Sequence, residues 1–325
     1  MCVGIFLRFY NYPDRISLDR DASLDALVAR AGSQELQLPL TGPFSSAAPI
    51  TTGPWYYYQL IIANILIPSI YAPWISFALS SVLLIFVMYR IGTLLLNRKL
   101  GLILAFITAV SPVQISLSSG LGNASVLGQL TGIIIWIFLE LINTKKQVYM
   151  EILLGFMIGL AINYHFQGVL LTPYFIYLYY KRNTFWKSLF YSALGFFLSY
   201  IPLLGFELNN HWYNTRHSWD YLILGKRAGI EIRSWTTYLS TFWPNLLNGV
   251  IGINKYLASL IFLMGLIYIS FLSYKKIVKQ GFTLIAIFII QFIFLRYYLG
   301  PLRDNYVQFL HPFIFLLVGF CIYGL

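Results

Sequence analysis

Charged residues are scarce in this chain, because only 10% of its 325 residues are Asp, Glu, Lys or Arg. Soluble domains use about a quarter of their residues for these types, so this chain cannot cover a water-facing surface of its own size. The two cysteines, Cys2 and Cys321, lie at opposite ends, which excludes a disulfide framework and a CxxC metal site. The 58% of hydrophobic residues and the mean hydropathy of +0.71 indicate an integral membrane protein.

The net charge of +11 raises the question of nucleic-acid binding. The 22 Lys and Arg residues lie in small clusters between apolar runs and not along one stripe. That distribution is the one that membrane topology requires. We therefore expect membrane lipids around this chain and no nucleic-acid partner.

Apolar runs need about 20 residues to cross a bilayer. Runs near this length cover 74–96, 101–120, 124–142, 184–206, 255–273 and 305–325, and shorter ones cover 148–163, 166–180 and 281–296. Residues 1–7 are too few to cross, and the chain stops inside an apolar segment, so we expect a fragment of a longer protein. The sequence predicts an all-α, polytopic transmembrane helical bundle of about nine to ten spans, the first truncated, as one domain over residues 1–325.

Basic clusters orient this bundle, because loops rich in Lys and Arg face the cytoplasm. Four clusters alternate correctly with the predicted spans: Arg90, Arg98 and Lys99; Lys145 and Lys146; Lys181, Arg182 and Lys187; and Lys275, Lys276 and Lys279. Of the 11 acidic residues, only Glu140 and Glu151 then fall inside. We therefore expect a multi-pass protein of the cell membrane, part of the cell envelope, with its active site on the extracytoplasmic side.

Two outer loops are large, at residues 11–54 and 207–254. A loop longer than about 12–15 residues is usually functional or disordered. The first contains a helix-like stretch over 21–31, and the second carries four tryptophans, a composition too aromatic for disorder. We expect both loops to carry amphipathic helices that lie against the membrane surface.

Asp19 and Asp21 come soon after the first apolar segment, with Arg15 before them and Arg20 between them. A carboxylate in a partly dehydrated site can accept a proton from a hydroxyl, and an arginine can bind phosphate. The alternative is a helix N-terminus, where Asp caps backbone amides and interacts favourably with the helix dipole. The segment by itself leaves both interpretations open.

Tyrosines 56 to 58 follow the first loop and are typical of an interfacial aromatic belt. Tyr57 is the one that we retain as a candidate substrate contact. Asn123 either caps the span that follows it or hydrogen-bonds a sugar.

Polar residues at two further outer positions also have two interpretations. His165 and Gln167 lie in a turn between two short apolar runs, where they either bond the backbone or contact a substrate. Arg296 and Arg303 flank a late outer loop, where they either hold a lipid phosphate or snorkel to the interface. No residues have the spacing of a compact metal site, and we predict no metal ligands.

The acidic segment from Arg15 to Ser23 resembles the first-loop motif of the GT-C superfamily of membrane glycosyltransferases. The nearest branch contains protein O-mannosyltransferases and bacterial lipid A aminoarabinose transferases. Further stretches resemble motifs of that branch in the same order: Thr41-Gly42-Pro43, Gly53 to Tyr58, Ser111-Pro112 with Ser118 to Asn123, His165-Phe166-Gln167, Pro202 to Leu208 with Asn214-Thr215-Arg216, and Arg303 to Tyr306 with His311-Pro312. The chain departs from the family at Asp19-Arg20-Asp21-Ala22, where many relatives have Asp-Glu-Ala, and at Ser119, where they often have Arg.

The resemblance implies transfer of a hexose or pentose from a polyprenyl-phosphate carrier to a protein, lipid or glycan acceptor, with inversion. It implies a first-loop Asp as general base, with Asp21 the better match and Asp19 the second. The candidate substrate contacts are Arg20, Tyr57, Asn123, His165, Gln167, Arg296 and Arg303. No cofactor is required, although the chemistry leaves room for a divalent cation.

A membrane transporter or a flippase for lipid-linked sugars is the alternative function. Transporters usually have charges at mid-span and repeated halves. This sequence has no internal repeat. Its charges collect at the ends of the spans and in the outer loops rather than at mid-span. That distribution favours an enzyme that works at the outer surface.

Overall fold

The computed structural model describes residues 1–45, 48–143, 148–222, 234–297 and 306–325, with the backbone alone at residue 182. Within these ranges the chain is all-α, as predicted. The β-type pairing found within these ranges is one isolated antiparallel bridge, between Phe44 and Thr51.

The helices of the first half include the first-loop helix α3 and the long apolar helix α5. Their bounds are α1 (Cys2–Phe9), α2 (Tyr12–Arg15), α3 (Arg20–Glu35), α4 (Trp55–Leu66), α5 (Ala72–Leu95), α6 (Arg98–Val110) and α7 (Pro112–Leu117). Asn97 ends the turn after α5, and its side chain accepts the backbone N–H of Leu100 at 3.1 Å. This cap starts α6, which packs back along α5.

The helices of the second half surround α8 and carry the second outer loop. Their bounds are α8 (Leu127–Asn143), α9 (Val148–Tyr164), α10 (Tyr177–Tyr180), α11 (Phe185–Asn209), α12 (Tyr213–Leu222), α13 (Trp235–Thr237), α14 (Trp243–Ile251), α15 (Lys255–Tyr274), α16 (Gly281–Arg296) and α17 (His311–Gly324). A 3₁₀ turn, Asn123–Val126, leads into α8, and another, Gln308–Leu310, leads into α17.

Four helical segments of the described ranges are long and apolar enough to cross a membrane: Ala72–Leu95, Asn123–Asn143, Phe185–Asn209 and Lys255–Tyr274. Val148–Tyr164, Gly281–Arg296 and Gln308–Gly324 are apolar but shorter. The membrane-helix architecture is thus present, while the predicted count of about nine to ten spans is not confirmed. The segment containing α8 lies at the centre, because 78% of its apolar window is buried, against 22% for α11.

The predicted span 101–120 is interrupted at Ser111, where the backbone becomes extended with ψ 119°. Pro112 lacks an amide hydrogen and disfavours helical geometry at the residue before it. As a result α6 ends at Val110, and α7 begins at Pro112 as a separate short helix. The freed Ser111 hydroxyl donates to the carbonyl of Val250 at 2.7 Å, which ties this break to α14.

The predicted span 166–180 is also not a regular α-helix. Residues Phe166–Ile176 form a 3₁₀ segment with Pro173 inside it. A proline in the interior removes one hydrogen bond and clashes with the preceding turn. The turn predicted at His165 is present, because His165 is extended (φ −157°, ψ 141°) between α9 and this segment.

Glycines bring α9 and α11 into close contact. A Cβ atom at Gly155 would lie 1.9 Å from the carbonyl oxygen of Ser192, and one at Gly195 would lie 1.8 Å from that of Ile152. Any side chain would separate the two backbones, which is the usual reason for small residues between membrane helices. This packing joins the first half of α9 to α11.

Arg8 is fully buried in α1. Its guanidinium donates to the Ser81 hydroxyl at 2.8 Å and to the carbonyls of Ala109 at 3.0 Å and Thr108 at 3.1 Å. A buried cation is tolerated in a membrane bundle only where protein groups satisfy it. These bonds fasten α1 to α5 and α6.

We expect Arg8→Met to destabilise the bundle, since the carbonyls of Thr108 and Ala109 would lose a donor. A buried polar group left unpaired costs about 1–3 kcal/mol. The melting temperature of the protein in detergent should therefore fall by several degrees. The same change at the exposed Arg98 is the control and should leave it unchanged. If both variants melt like the wild type, the Arg8 bonds do not hold α1.

Candidate active site

Asp19 begins the first-loop helix α3. Its Oδ1 accepts the backbone N–H of Ala22 at 2.8 Å, and its Oδ2 accepts the Ser17 hydroxyl at 3.3 Å. The capping interpretation of Asp19 is therefore confirmed, because both carboxylate oxygens carry local bonds at an N-cap. Whether it also has a catalytic role stays a prediction.

The start of α3 is tied to the first turn of α5 and to the stretch that follows α7. The backbone N–H of Ser17 donates to the carbonyl of Ser119 at 3.0 Å, and the indole of Trp74 donates to the carbonyl of Ser17 at 3.1 Å. These bonds place Asp19 beside the stretch that runs from Ser119 to Asn123. Two of the sequence motifs are thereby brought together.

Asp21 and Arg20 lie in the first turn of α3, and both side chains are exposed. An acidic side chain there interacts favourably with the helix dipole. Unlike Asp19, Asp21 is not the capping residue, and its carboxylate is open to an incoming group. The structure thus gives the two carboxylates different environments.

Asp25 is a site residue that sequence reasoning missed. It is only 8% exposed, and its two carboxylate oxygens accept the hydroxyls of Tyr56 at 2.7 Å and Tyr57 at 2.9 Å. Burial raises the pKa of the Asp25 carboxyl, the two tyrosine hydrogen bonds oppose that rise, and the charges of Asp21 and Asp19 add to it. The four-residue spacing from Asp21 to Asp25, which puts both on one helix face, was the available signal.

The interpretation of the tyrosines as an interfacial belt is wrong for Tyr56, because its side chain is fully buried. The Tyr56 ring packs edge-on against the ring of Tyr164, with 6.4 Å between centroids. The hydroxyl of Tyr164 donates to the side chain of Gln59 at 2.8 Å. Tyr56 thus connects the first loop to the end of α9.

His165 follows Tyr164 directly and stacks on Tyr306, with ring centroids 4.9 Å apart and planes at 25°. Burial lowers the pKa of His165 to about 4, so the imidazole is neutral at pH 7. Its Nδ1 accepts the backbone N–H of Gln167 at 3.4 Å, the backbone role that the sequence allowed. Within the described chain, the buried side-chain oxygen and nitrogen of Gln167 have no hydrogen-bond partner.

The other predicted contacts have local partners. The side-chain oxygen of Asn123 accepts the N–H of Ala124 at 3.0 Å, at the start of the 3₁₀ turn. Arg296, at the end of α16, places its guanidinium 4.5 Å from the ring centroid of Trp235, a cation–π contact with the second outer loop. Arg303 lies outside the described residues.

The two outer loops are bound to each other near α4. Glu207 at the end of α11 accepts the backbone N–H groups of Asn214 at 3.0 Å and Thr215 at 3.2 Å, which caps α12. The Asn214 side chain in turn accepts the N–H of Thr51 at 2.7 Å and donates to its carbonyl at 3.0 Å. The second loop thereby holds the segment of the first loop that leads into α4.

A shallow groove of about 510 Å³ opens close to the start of α3. It is lined by Arg15, Val110, Pro112, Ile115, Ser116 and Ser119. The Arg15 guanidinium donates to the carbonyls of Leu7 at 2.8 Å and Ile115 at 3.0 Å, so this cation forms part of the wall. The described residues contain no group of three His, Cys, Asp or Glu side chains arranged to hold a metal ion.

The family described as dolichyl-phosphate-mannose-protein mannosyltransferase matches residues 54–206, slightly under half of the chain. No curated protein is similar enough in sequence to match it. Among solved structures, ArnT from Cupriavidus metallidurans in the apo state is similar to this chain, with a TM-score of 0.72 at 12% identity. That match covers 100% of this chain and 59% of ArnT.

Two structures with bound ligands are also similar to this chain. ArnT bound to undecaprenyl phosphate has a TM-score of 0.71 at 12% identity, over 100% of this chain and 59% of that one. The oligosaccharyltransferase AglB from Archaeoglobus fulgidus, in complex with an inhibitory peptide and a dolichol-phosphate, has a TM-score of 0.63 at 13% identity, over 99% of this chain and 49% of that one. This chain spans about half to three-fifths of the length of these proteins.

The raised pKa of Asp25 predicts that the stability of Asp25→Asn relative to the wild type depends on pH. In the wild type, the folded state favours the neutral Asp25 carboxyl, which adds to the free energy of unfolding. This contribution is fully present below the unfolded pKa of about 4 and is lost as the pH rises through the raised folded pKa. The amide variant has no such loss. Its melting temperature, relative to the wild type, should therefore increase between about pH 4 and pH 8.

The charged and titratable groups that face Asp25 are Asp19 and Asp21 on its own helix and Tyr56 and Tyr57 on α4. Glu35→Gln, at the exposed acidic residue that ends the same helix, is the matched control. A difference between Asp25→Asn and wild type that is constant or falls with pH would contradict the direction of the pKa shift.

Proposed function

Since the chain has the fold of the GT-C superfamily of membrane glycosyltransferases, we propose that it transfers a sugar from a polyprenyl-phosphate carrier to an acceptor at the outer face of the membrane. The observation that carries this proposal is the placement of α3. Its first turn carries an exposed carboxylate, and the chain just before it is bound through Ser17 to Ser119, which lines the same groove as Arg15.

In the proposed reaction, Asp21 accepts the proton of the acceptor hydroxyl. The acceptor oxygen forms a bond to the anomeric carbon of the sugar while the bond from that carbon to the phosphate oxygen breaks. Polyprenyl phosphate leaves with the bonding electron pair, and attack from the opposite face inverts the anomeric centre. Positioned general-base catalysis of this kind contributes about 10²–10⁴ in rate.

Asp21 is the better candidate because Asp19 already uses one carboxylate oxygen for the N–H of Ala22 and the other for Ser17. Arginine side chains supply the charge that a lipid phosphate needs, and Arg20, Arg296 and Arg303 are the proposed contacts. Neutral His165, Gln167, Asn123 and Tyr57 have the donors and acceptors that sugar hydroxyls require.

The membrane environment fits an apolar carrier. Both ArnT and AglB are found with polyprenyl or dolichol phosphates, which supports a carrier of this class as donor. The peptide in the AglB complex supports a protein acceptor as one of the candidates, with lipid and glycan acceptors as the others. A transporter is disfavoured by the buried cation of α1, since Arg8 is held in place by hydrogen bonds to α5 and α6.

We expect Asp21→Asn to lower the rate of sugar transfer by about 10²–10⁴-fold, because the amide cannot accept the proton. Asp19→Asn should lower it far less, because Asn is also a good N-cap residue. The assay is the release of free polyprenyl phosphate from undecaprenyl-phosphate mannose and from undecaprenyl-phosphate aminoarabinose, in membranes containing the protein. This readout does not depend on the identity of the acceptor.

Two outcomes would contradict the proposal. If Asp21→Asn and Asp19→Asn, singly and together, release the carrier at the wild-type rate, a first-loop Asp is not the base. If the wild type releases no carrier but moves the labelled donor from one leaflet of a vesicle to the other, the protein is a flippase.

A further inference from the structure

We propose that Asp25 is a positioning residue, whose hydrogen bonds to Tyr56 and Tyr57 set the direction in which α3 presents its first-turn carboxylates. This proposal rests on the glycosyl-transfer function inferred above. Asp25 does not belong to the acidic motif that the sequence singled out, and it has no place in the proposed reaction.

The buried face of α3 explains why one polar residue has this role. Its members are Ala22, Asp25, Ala29 and Gly32, at intervals of three and four residues that form one stripe along a helix. Three of the four are small and lack polar side-chain atoms. Contact between small apolar surfaces attracts the helix to its neighbour but is non-directional, so it does not by itself fix the rotation of α3.

The hydrogen bonds of Asp25 fix the rotation of α3, which apolar contact leaves undetermined. Its two carboxylate oxygens each accept one tyrosine hydroxyl, at 2.7 Å and 2.9 Å. Two bonds to two fixed donors define both the position and the rotation of the residue that makes them.

The two tyrosines are fixed because α4 is anchored to the bundle at its first turn. The N–H of Gly53 donates to the carbonyl of Asn163 at 2.8 Å, and the indole of Trp55 donates to the carbonyl of Ser199 at 2.6 Å. A Cβ at Gly53 would lie 1.7 Å from the side-chain oxygen of Asn163, so only glycine permits this approach. The two tyrosines that bind Asp25 are therefore held in place by contacts of α4 with α9 and α11.

Asp21 lies four residues before Asp25, which is about one helical turn and about 6 Å along the axis. The two residues share a face of α3. A rotation of α3 about the Asp25 contact therefore displaces the Asp21 carboxylate directly. A misplacement of about 1 Å in a catalytic group can cost about 100-fold in rate.

The test compares variants on both sides of the contact. Asp25→Ala should lower kcat for carrier release by about ten- to 100-fold and leave the KM for the donor within about threefold. Tyr56→Phe combined with Tyr57→Phe should lower kcat by a similar factor. Asp25→Asn should restore most of kcat, because an amide of the same shape can accept one hydroxyl and donate to the other. Tyr58→Phe and Glu35→Gln are the matched controls and should behave as wild type.

A second readout does not depend on activity. Hydrogen–deuterium exchange of the α3 amides should become faster in Asp25→Ala and in the double tyrosine variant, while exchange in α5 and α8 stays at the wild-type rate. Exchange that rises throughout the protein would mean that the contact serves global stability, which would overturn the positioning role.

Two further results would also overturn the proposal. The first is unchanged exchange and unchanged kcat in Asp25→Ala. The second is an Asp25→Asn protein as slow as Asp25→Ala with α3 exchange at the wild-type level, because the charge and not the position would then matter. Failure of the proposed function is distinguishable, since the wild type would then release no carrier while the exchange measurement still decides whether Asp25 holds α3.

Discussion

Polar groups within a membrane bundle must find their partners in the protein, because hydrocarbon offers none. In this fold, some of the hydrogen bonds that meet this requirement also position the first loop. The guanidinium of Arg8 binds carbonyls of α6 and so fixes α1. The indole of Trp55 binds the carbonyl of Ser199 and so fixes the start of α4 on α11. The first-loop helix α3 is positioned on this framework, and without it the acidic residues would have no defined place.

Three carboxylates at the N-terminal end of α3 have three different environments. Asp19 is occupied as an N-cap, Asp21 is exposed, and Asp25 is buried between two tyrosine hydroxyls. Environment, more than residue type, decides which acid can act as a base and which holds structure. The second outer loop contributes to the same arrangement through Asn214, which binds the backbone of Thr51 just before α4.

Much of the local structure was predictable. A helix cap was one of the two interpretations of Asp19 and Asp21, and the turn at His165 followed from a polar pair between apolar runs. The break at Ser111 was not predicted. The long apolar run over 101–120 indicated a single span, although Pro112 disfavours helical geometry at Ser111. The contact of Asp25 with Tyr56 and Tyr57 was not predictable from local sequence, because the tyrosines lie 31 and 32 residues further along the chain.

The sequence by itself determined that this is a helical membrane protein, because composition and the length of apolar runs depend on no long-range contact. It also carried the motifs of a membrane glycosyltransferase in their order. Only the tertiary structure decided that Tyr56 is a buried partner of Asp25 and not part of an interfacial belt. Burial and hydrogen bonding arise where distant segments meet, so the environments that distinguish Asp19, Asp21 and Asp25 exist only in the folded chain.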